Sequence, residues 1–117
     1  MASKSSVAER RIARRLASRL GVHFGTASCD HPAHAENISE TGLYINTNHV
    51  FPVGTRLLVQ VEFPECAVFR RAQVVWAIRV PEHMQEDMIC GMGVEFLDKD
   101  AEWQNTFRRW RASIDQP

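Results

Sequence analysis

Apolar and polar residues alternate along two stretches in the middle of the chain. Every second residue is apolar from Leu57 to Phe63, and the same holds from Ala72 to Ile78, a set that includes Trp76. A two-residue period is typical of strands that bury one face. We therefore predict two half-buried strands with these apolar side chains turned inward.

Further strands are predicted at residues 16–24, 43–45 and 88–97, where apolar residues alternate or cluster between turn-forming residues. The segment Ser39–Gly42 has the composition of a tight turn. Residues 29–34, with the sequence Cys-Asp-His-Pro-Ala-His, are mostly polar and are predicted to form a loop.

The end of the chain has a different period. Four bulky residues lie four, three and four positions apart: Trp103, Phe107, Trp110 and Ile114. This spacing puts them on one face of a helix, and such a face is usually part of a core. Asp98 or Asp100 is available as the N-cap of this helix.

Five or six short strands followed by one helix predict an all-β fold with a C-terminal helix, in which the helix packs on a small antiparallel β-barrel. The 117 residues suffice for one domain. We assign residues 1–8 to a flexible tail and residues 9–117 to a single domain. That domain consists of a basic arm, a barrel and a helix, at residues 9–15, 16–97 and 98–114.

The chain carries 14 basic and 14 acidic residues, but their distribution is uneven. Residues 1–20 have six basic residues and one acidic residue, a net charge of +5, whereas residues 21–97 have a net charge of −5. A general nucleic-acid binder carries a broad surplus of Lys and Arg, so we expect no DNA or RNA partner. The basic segment is interpreted as a short irregular arm that leads into a strand, and a long helix through residues 7–20 is the alternative.

No segment of the sequence predicts catalysis, a metal site or membrane insertion. Cys29, His31 and His34 are close in sequence, but a zinc site needs a fourth ligand that the spacing does not offer. Cys90 lies in an apolar stretch without a nearby base and is predicted to be a core residue. The odd number of cysteines and the lack of a signal-peptide core or a long apolar run predict a soluble cytoplasmic protein. We expect it to be neither an enzyme nor dependent on a cofactor.

Three short motifs follow one another along the chain. Arg11–Arg15 has the pattern Arg-x-x-x-Arg, Asn37–Gly42 has the pattern [Asp/Asn]-x-Ser-x-x-Gly, and Gly91–Phe96 has the pattern Gly-x-Gly-Val-x-Phe. In this order, with predicted strands between them, they resemble the PilZ domain family from about residue 9 to residue 96. PilZ domains are six-stranded β-barrels that act as receptors for the bacterial second messenger cyclic di-GMP.

The resemblance implies a ligand site built from two segments. Arg11 and Arg15 would clamp phosphate and guanine, to which arginine donates paired hydrogen bonds. Asn37 and Ser39 would hydrogen-bond the other guanine, and Gly42 would permit the turn that presents them. Asn37 replaces the commoner Asp, which removes a carboxylate able to accept hydrogen bonds from guanine N1–H and N2–H together.

Two more arginines extend the cationic arm. Arg10 precedes the first motif, and Arg14 lies within it. In PilZ domains an arginine just before the motif often accompanies a stacked pair of ligand molecules. The resemblance therefore implies that this chain binds cyclic di-GMP as a stacked pair.

Three hypotheses of function come from these patterns. In the first, a cyclic di-GMP receptor changes conformation as the arm folds over the ligand, and it signals to a downstream partner protein. In the second, the chain is a PilZ-fold adaptor that binds another protein and no nucleotide. The third, a nucleic-acid binder with a basic arm on another class of barrel, disagrees with the acidic charge of residues 21–97.

Overall fold

Six antiparallel strands close into a barrel in the computed structural model, which describes residues 19–84, 90–98 and 100–115. The strands are β1 (Leu20–Gly25), β2 (His31–Glu36), β3 (Gly42–Asn46), β4 (Arg56–Glu62), β5 (Ala67–Ile78) and β6 (Gly91–Phe96). Their order around the barrel is β1–β2–β3–β6–β5–β4. A 3₁₀ turn (Glu82–Met84) follows β5, and a helix, α1 (Ala101–Asp115), follows β6. The predicted all-β barrel with a C-terminal helix is confirmed.

The barrel interior is filled by alternate residues of its strands. On β4, Leu57, Val59 and Val61 are at most 2% exposed, and Phe63 just beyond the strand is 6% exposed. The two-residue period predicted this orientation. The other strands contribute further buried side chains: Val22, Phe24, Ile45, Val74 and Met92. Removal of this apolar surface from water is the main force that holds the barrel closed.

Strand β5 departs from its predicted alternation at Trp76. Ala72 and Val74 are buried, but Trp76 and Ile78 are 47% and 37% exposed. The pairing of β5 with β6 shifts register between Val74 and Trp76. Such a β-bulge inserts one extra residue and re-aims the side chains that follow it. The prediction that Trp76 and Ile78 face the interior is therefore wrong.

Residues 31–36 form strand β2, so the loop predicted at residues 29–34 is wrong. The strand pairs with β1 along most of its length and with β3 from His34 onward. Pro32 lies where β2 pairs with β1 alone, a place in a sheet that tolerates a residue without an N–H. Only Ala35 of this strand is fully buried. The segment therefore lacks the bulky apolar alternation by which strands are recognised in a sequence.

Helix α1 packs its aromatic face on one end of the barrel, as its spacing predicted. Trp103 is fully buried, and its ring centroid lies 4.5 Å from that of Phe96 and 5.4 Å from that of Phe63. A carboxylate oxygen of Asp100 accepts a hydrogen bond from the Trp103 amide at 3.0 Å. Asp100, and not Asp98, is therefore the N-cap of the helix.

Three features meet at this end of the barrel. Strand β1 begins here, because it is antiparallel to β4 and pairs Gly21 with Glu62 at the end of β4. Strand β3 also begins here, since its first residue, Gly42, pairs with Glu95 near the end of β6. The β2–β3 turn, the beginning of β1 and helix α1 therefore lie close together.

Several N-terminal predictions concern residues 1–18, which lie outside the described residues. They include the tail, the basic arm, most of the alternative helix and the start of the strand predicted from residue 16. Within the described ranges, no helix has the length and apolar character needed to cross a membrane.

Candidate functional site

The β2–β3 turn is organised around the hydroxyl group of Ser39. The Ser39 Oγ accepts hydrogen bonds from the backbone amides of Thr41 and Gly42, each at 3.2 Å. The backbone N–H of Ser39 donates to the carbonyl oxygen of Gly42 at 2.9 Å. Short polar side chains stabilise turns by such local bonds. Ser39 therefore fixes the shape of the turn as well as lining it.

Asn37 and Gly42 stand at the two ends of this turn. Asn37 has a φ of 52°, the left-handed region that asparagine tolerates better than most residues. At Gly42, an added Cβ would collide with the carbonyl oxygen of Val94 and lie 3.2 Å from the Cα of Glu95. Glycine is needed there because β6 passes so close. The left-handed backbone of this segment is therefore at Asn37 and not at Gly42.

Two aromatic rings cover the outer wall of the barrel beside the turn. Tyr44 and Trp76 are stacked, with ring centroids 5.0 Å apart and an angle of 7° between their planes. They lie over glycines of β6: an added Cβ at Gly91 would meet the Tyr44 ring, and one at Gly93 would meet the Trp76 indole. Partial burial raises the pKa of the Tyr44 phenol above its ordinary value.

The turn and the aromatic pair line one cavity of about 250 Å³. Its walls carry the amide of Asn37, the Ser39 turn, the Trp76 ring and the carboxylate of Glu95. A flat aromatic face beside hydrogen-bonding groups suits a planar heterocycle, which stacks through its π-face and bonds through its edge. The lining of this cavity is therefore chemically suited to a nucleobase.

Two ion pairs flank the turn. Arg19, the first described residue, pairs with Glu36 at 3.2 Å, and Arg108 of helix α1 pairs with Glu40 at 2.9 Å. Glu36 immediately precedes Asn37, and Glu40 follows Ser39 within the turn. The pairs link the turn to the beginning of β1 on one side and to the C-terminal helix on the other.

Three of the seven predicted ligand-binding residues lie together on this cavity: Asn37, Ser39 and Gly42. The other four, Arg10, Arg11, Arg14 and Arg15, lie outside the described residues. Tyr44 and Trp76 were missed by the sequence analysis. The Gly-x-Gly pattern of β6 was the available signal for them, because glycines on a strand indicate close approach of another group.

The other candidate groups lie apart from this cavity. Cys90 is 3% exposed, as predicted for a core residue. Burial raises the pKa of the Cys29 thiol, with a further contribution from Asp30, so this thiol is less reactive than an ordinary one. In the described part of the chain, no three side chains of the metal-binding types cluster in a way that could hold an ion.

Comparison with known proteins identifies the family of this chain. The family model described as PilZ domain matches residues 9–113. Among solved structures, the Bacillus subtilis inhibitor of motility (MotI/DgrA) has the same fold, with a TM-score of 0.67 and 18% sequence identity. The match covers 84% of this chain and 48% of that one, so this chain spans about half its length. No curated protein matches the sequence significantly.

Proposed function

The chain belongs to the PilZ domain family, and on that premise we propose that it is a cyclic di-GMP receptor. The observation that carries this proposal is the cavity itself. It combines the Asn37–Gly42 motif with the stacked rings of Tyr44 and Trp76, an aromatic platform that is not part of the motif. A receptor for a dinucleotide needs both kinds of surface, because a base is held by its face and by its edge.

One guanine of the ligand fits the described cavity. Its face stacks on Trp76, whose indole is 47% exposed and already ordered by contact with Tyr44. Its edge faces the polar turn, where the Asn37 amide group donates and accepts hydrogen bonds and the Ser39 hydroxyl group holds the turn in shape. Base stacking on an aromatic side chain contributes about 1–3 kcal/mol per base. The platform is therefore a major part of the proposed affinity.

The phosphates and the second guanine are assigned to arginines of the arm. Arg15 precedes Arg19 by four residues, so the Cα atoms of the two residues can be at most about 14 Å apart, even in a fully extended chain. Arg19 is held beside the turn by Glu36. Arg15 is thus within reach of the cavity, and we assign it and Arg11 to phosphate and guanine, for which paired guanidinium donors are suited.

Arg10 and Arg14 supply two more cations on the same arm. Two stacked ligand molecules carry four phosphates, and this surplus of positive charge favours their binding. We therefore propose a stacked pair of cyclic di-GMP as the bound form.

Signalling is assigned to the surface formed by the turn, the arm and helix α1. The Arg108–Glu40 pair joins the helix to the turn that contacts the ligand. A ligand that binds one arrangement of these elements better than another shifts the population toward it. We propose that a partner protein recognises the ligand-bound surface in the cytoplasm and that the domain has no catalysis of its own.

Calorimetric titration with cyclic di-GMP tests the proposal. We expect the unmodified chain to bind, with two ligand molecules per chain if the stacked pair forms. Arg15→Ala removes a charge-assisted donor, and Ser39→Ala removes the hydroxyl group that organises the turn. Each variant is expected to weaken binding roughly ten- to hundredfold. Arg56→Ala and Ser28→Ala, at exposed positions outside the cavity, serve as controls. Equal affinity in all five proteins, or no heat with any, contradicts the proposal.

A further inference from the structure

Glu95 occupies a distinct position in the cavity. It lies on the outer face of β6, is exposed, and contributes the cavity's only carboxylate among the described residues. It pairs across the strands with Gly42, the last residue of the turn motif. Partners in an antiparallel pair direct their side chains to the same face. The place of a side chain at Gly42 is taken by the β6 backbone, so Glu95 provides the only side chain of this pair that lines the cavity.

The carboxylate of Glu95 also differs from its acidic neighbours in having no cationic partner within the described part of the chain. Glu36 is paired with Arg19, and Glu40 is paired with Arg108. Those two carboxylates are therefore already engaged by a guanidinium group. Glu95 keeps its full capacity to accept hydrogen bonds.

The register places Glu95 at the edge of the aromatic platform. Trp76 and Tyr44 both pair with Gly93, and Glu95 is the next residue of β6 on the same face. A two-residue step along a strand is about 6.6 Å. The side chain of Glu95 is therefore within reach of the edge of a purine stacked over the ring of Trp76.

We propose that Glu95 recognises the Watson–Crick edge of the bound guanine, an inference that rests on the proposed binding of cyclic di-GMP. A carboxylate has two acceptor oxygens and can accept from N1–H and N2–H at the same time. Guanine presents these two donors side by side, and adenine does not. Glu95 thus supplies the carboxylate that Asn37, standing in place of Asp, does not offer.

The test compares two ligands on two proteins. Cyclic di-GMP and its inosine analogue, cyclic di-IMP, differ only in the 2-amino groups, and both are titrated into the unmodified chain and into Glu95→Gln. We expect Glu95→Gln to lose roughly ten- to hundredfold in affinity for cyclic di-GMP and much less for cyclic di-IMP. The preference of the unmodified chain for cyclic di-GMP should therefore disappear. Glu65→Gln removes the same charge at an exposed position outside this cavity and should leave both affinities unchanged.

Each other outcome has a definite meaning. If Glu95→Gln binds cyclic di-GMP as tightly as the unmodified chain, the carboxylate makes no contact with the base; if it binds more tightly, the carboxylate repels the phosphates, and in both cases the assignment is wrong. If the variant weakens both ligands equally, Glu95 does not recognise the 2-amino group and the assignment is again wrong. If the unmodified chain binds neither ligand, the proposed function itself fails, a result distinct from the other two.

Discussion

The indole ring of Trp76 lies flat against the phenol ring of Tyr44, with 5.0 Å between the centroids and 7° between the planes. The two residues come from β5 and β3, which flank β6 in the barrel. Their rings approach each other over β6 because Gly91 and Gly93 have no side chains between them. The Gly-x-Gly pattern of β6 is therefore required for the two rings to stack beside the Asn37–Gly42 turn.

Replacement of Trp76 by Ala removes the exposed face of this platform. Because about half of Trp76 is buried against Tyr44 and Gly93, the free energy of unfolding should fall by about 1–2 kcal/mol, whereas affinity for cyclic di-GMP should fall roughly ten- to hundredfold. Calorimetry and urea denaturation measure the two effects separately. Phe69→Ala, at an aromatic residue 60% exposed on the same strand and outside the cavity, is the control. Unchanged affinity in Trp76→Ala would show that the base does not stack there.

Gly93→Ala tests whether the glycine keeps the platform in place. The new methyl group would overlap the indole of Trp76, so we expect a loss of about 1–3 kcal/mol in the free energy of unfolding and weaker ligand binding. Gly21→Ala is a matched control on β1, where the added Cβ would lie 3.6 Å from a Glu62 carboxylate oxygen, an ordinary contact. That variant should be unchanged or stabilised by up to about 1 kcal/mol. Equal stability of the two variants would contradict the packing described for Gly93.

The N-cap of helix α1 predicts a dependence of stability on pH. The Trp103 amide and the Arg70 guanidinium, which lies 2.7 Å from a carboxylate oxygen of Asp100, lower the pKa of that carboxyl group. A lowered pKa in the folded state stabilises the protein above the unfolded value of about 3.9, and this contribution is lost as the pH falls through the folded pKa. Asp100→Asn keeps a residue able to cap but loses the charge. We expect a lower urea midpoint for this variant at pH 7 and a smaller decrease between pH 7 and pH 2.5.

A second carboxylate partner of Arg70 makes this comparison decisive. Arg70 also contacts Glu102 at 3.0 Å, so the guanidinium group keeps one partner in Asp100→Asn and the fold should remain intact. Parallel pH profiles for the variant and the unmodified chain would show that the charge of Asp100 contributes nothing to the acid sensitivity of the protein.

The acidic residues beside the turn predict selectivity against long polyanions. Glu36 and Glu40 neutralise the charges of Arg19 and Arg108. Replacement of the two glutamates by Gln would remove these partners of both arginines beside the Asn37–Gly42 turn. We expect the double variant Glu36→Gln, Glu40→Gln to gain salt-sensitive binding to duplex DNA, measured by fluorescence anisotropy at low ionic strength. The unmodified chain should show none. Weak DNA binding that is identical in both proteins would refute a role for these carboxylates in selectivity.

Much of the fold could be predicted from the sequence because the core residues recur at the spacings typical of a strand or a helix. The alternation from Leu57 to Phe63 and the helical spacing of Trp103 and Trp110 both predicted which side chains are buried. Strand β2 was missed because its inward residues are alanines, which give little hydrophobic signal. Its pairing with β1 and β3 makes it a strand, and such long-range contacts have no local pattern in a sequence.

The site was predicted less completely than the fold. The turn motif located Asn37, Ser39 and Gly42 correctly on one cavity. Trp76 was assigned to the interior, since a single bulge reverses the face of every later residue and the sequence carries no mark of it. Glu95 was not among the predicted site residues, because only the cross-strand register shows that it adjoins the turn.

Backbone amide chemical shifts in an NMR titration test the central claim most directly, since they report binding and its location together. When cyclic di-GMP is added to the isotope-labelled chain, we predict saturable shifts at the Asn37–Gly42 turn, at Tyr44 and Glu95, and at the indole N–H of Trp76. The connection between β1 and β2, at residues 26–30, lies at the opposite end of the barrel and should not shift. No saturable shifts at millimolar ligand, or shifts that leave the turn and Trp76 unaffected, would contradict the assignment of this cavity as a cyclic di-GMP site.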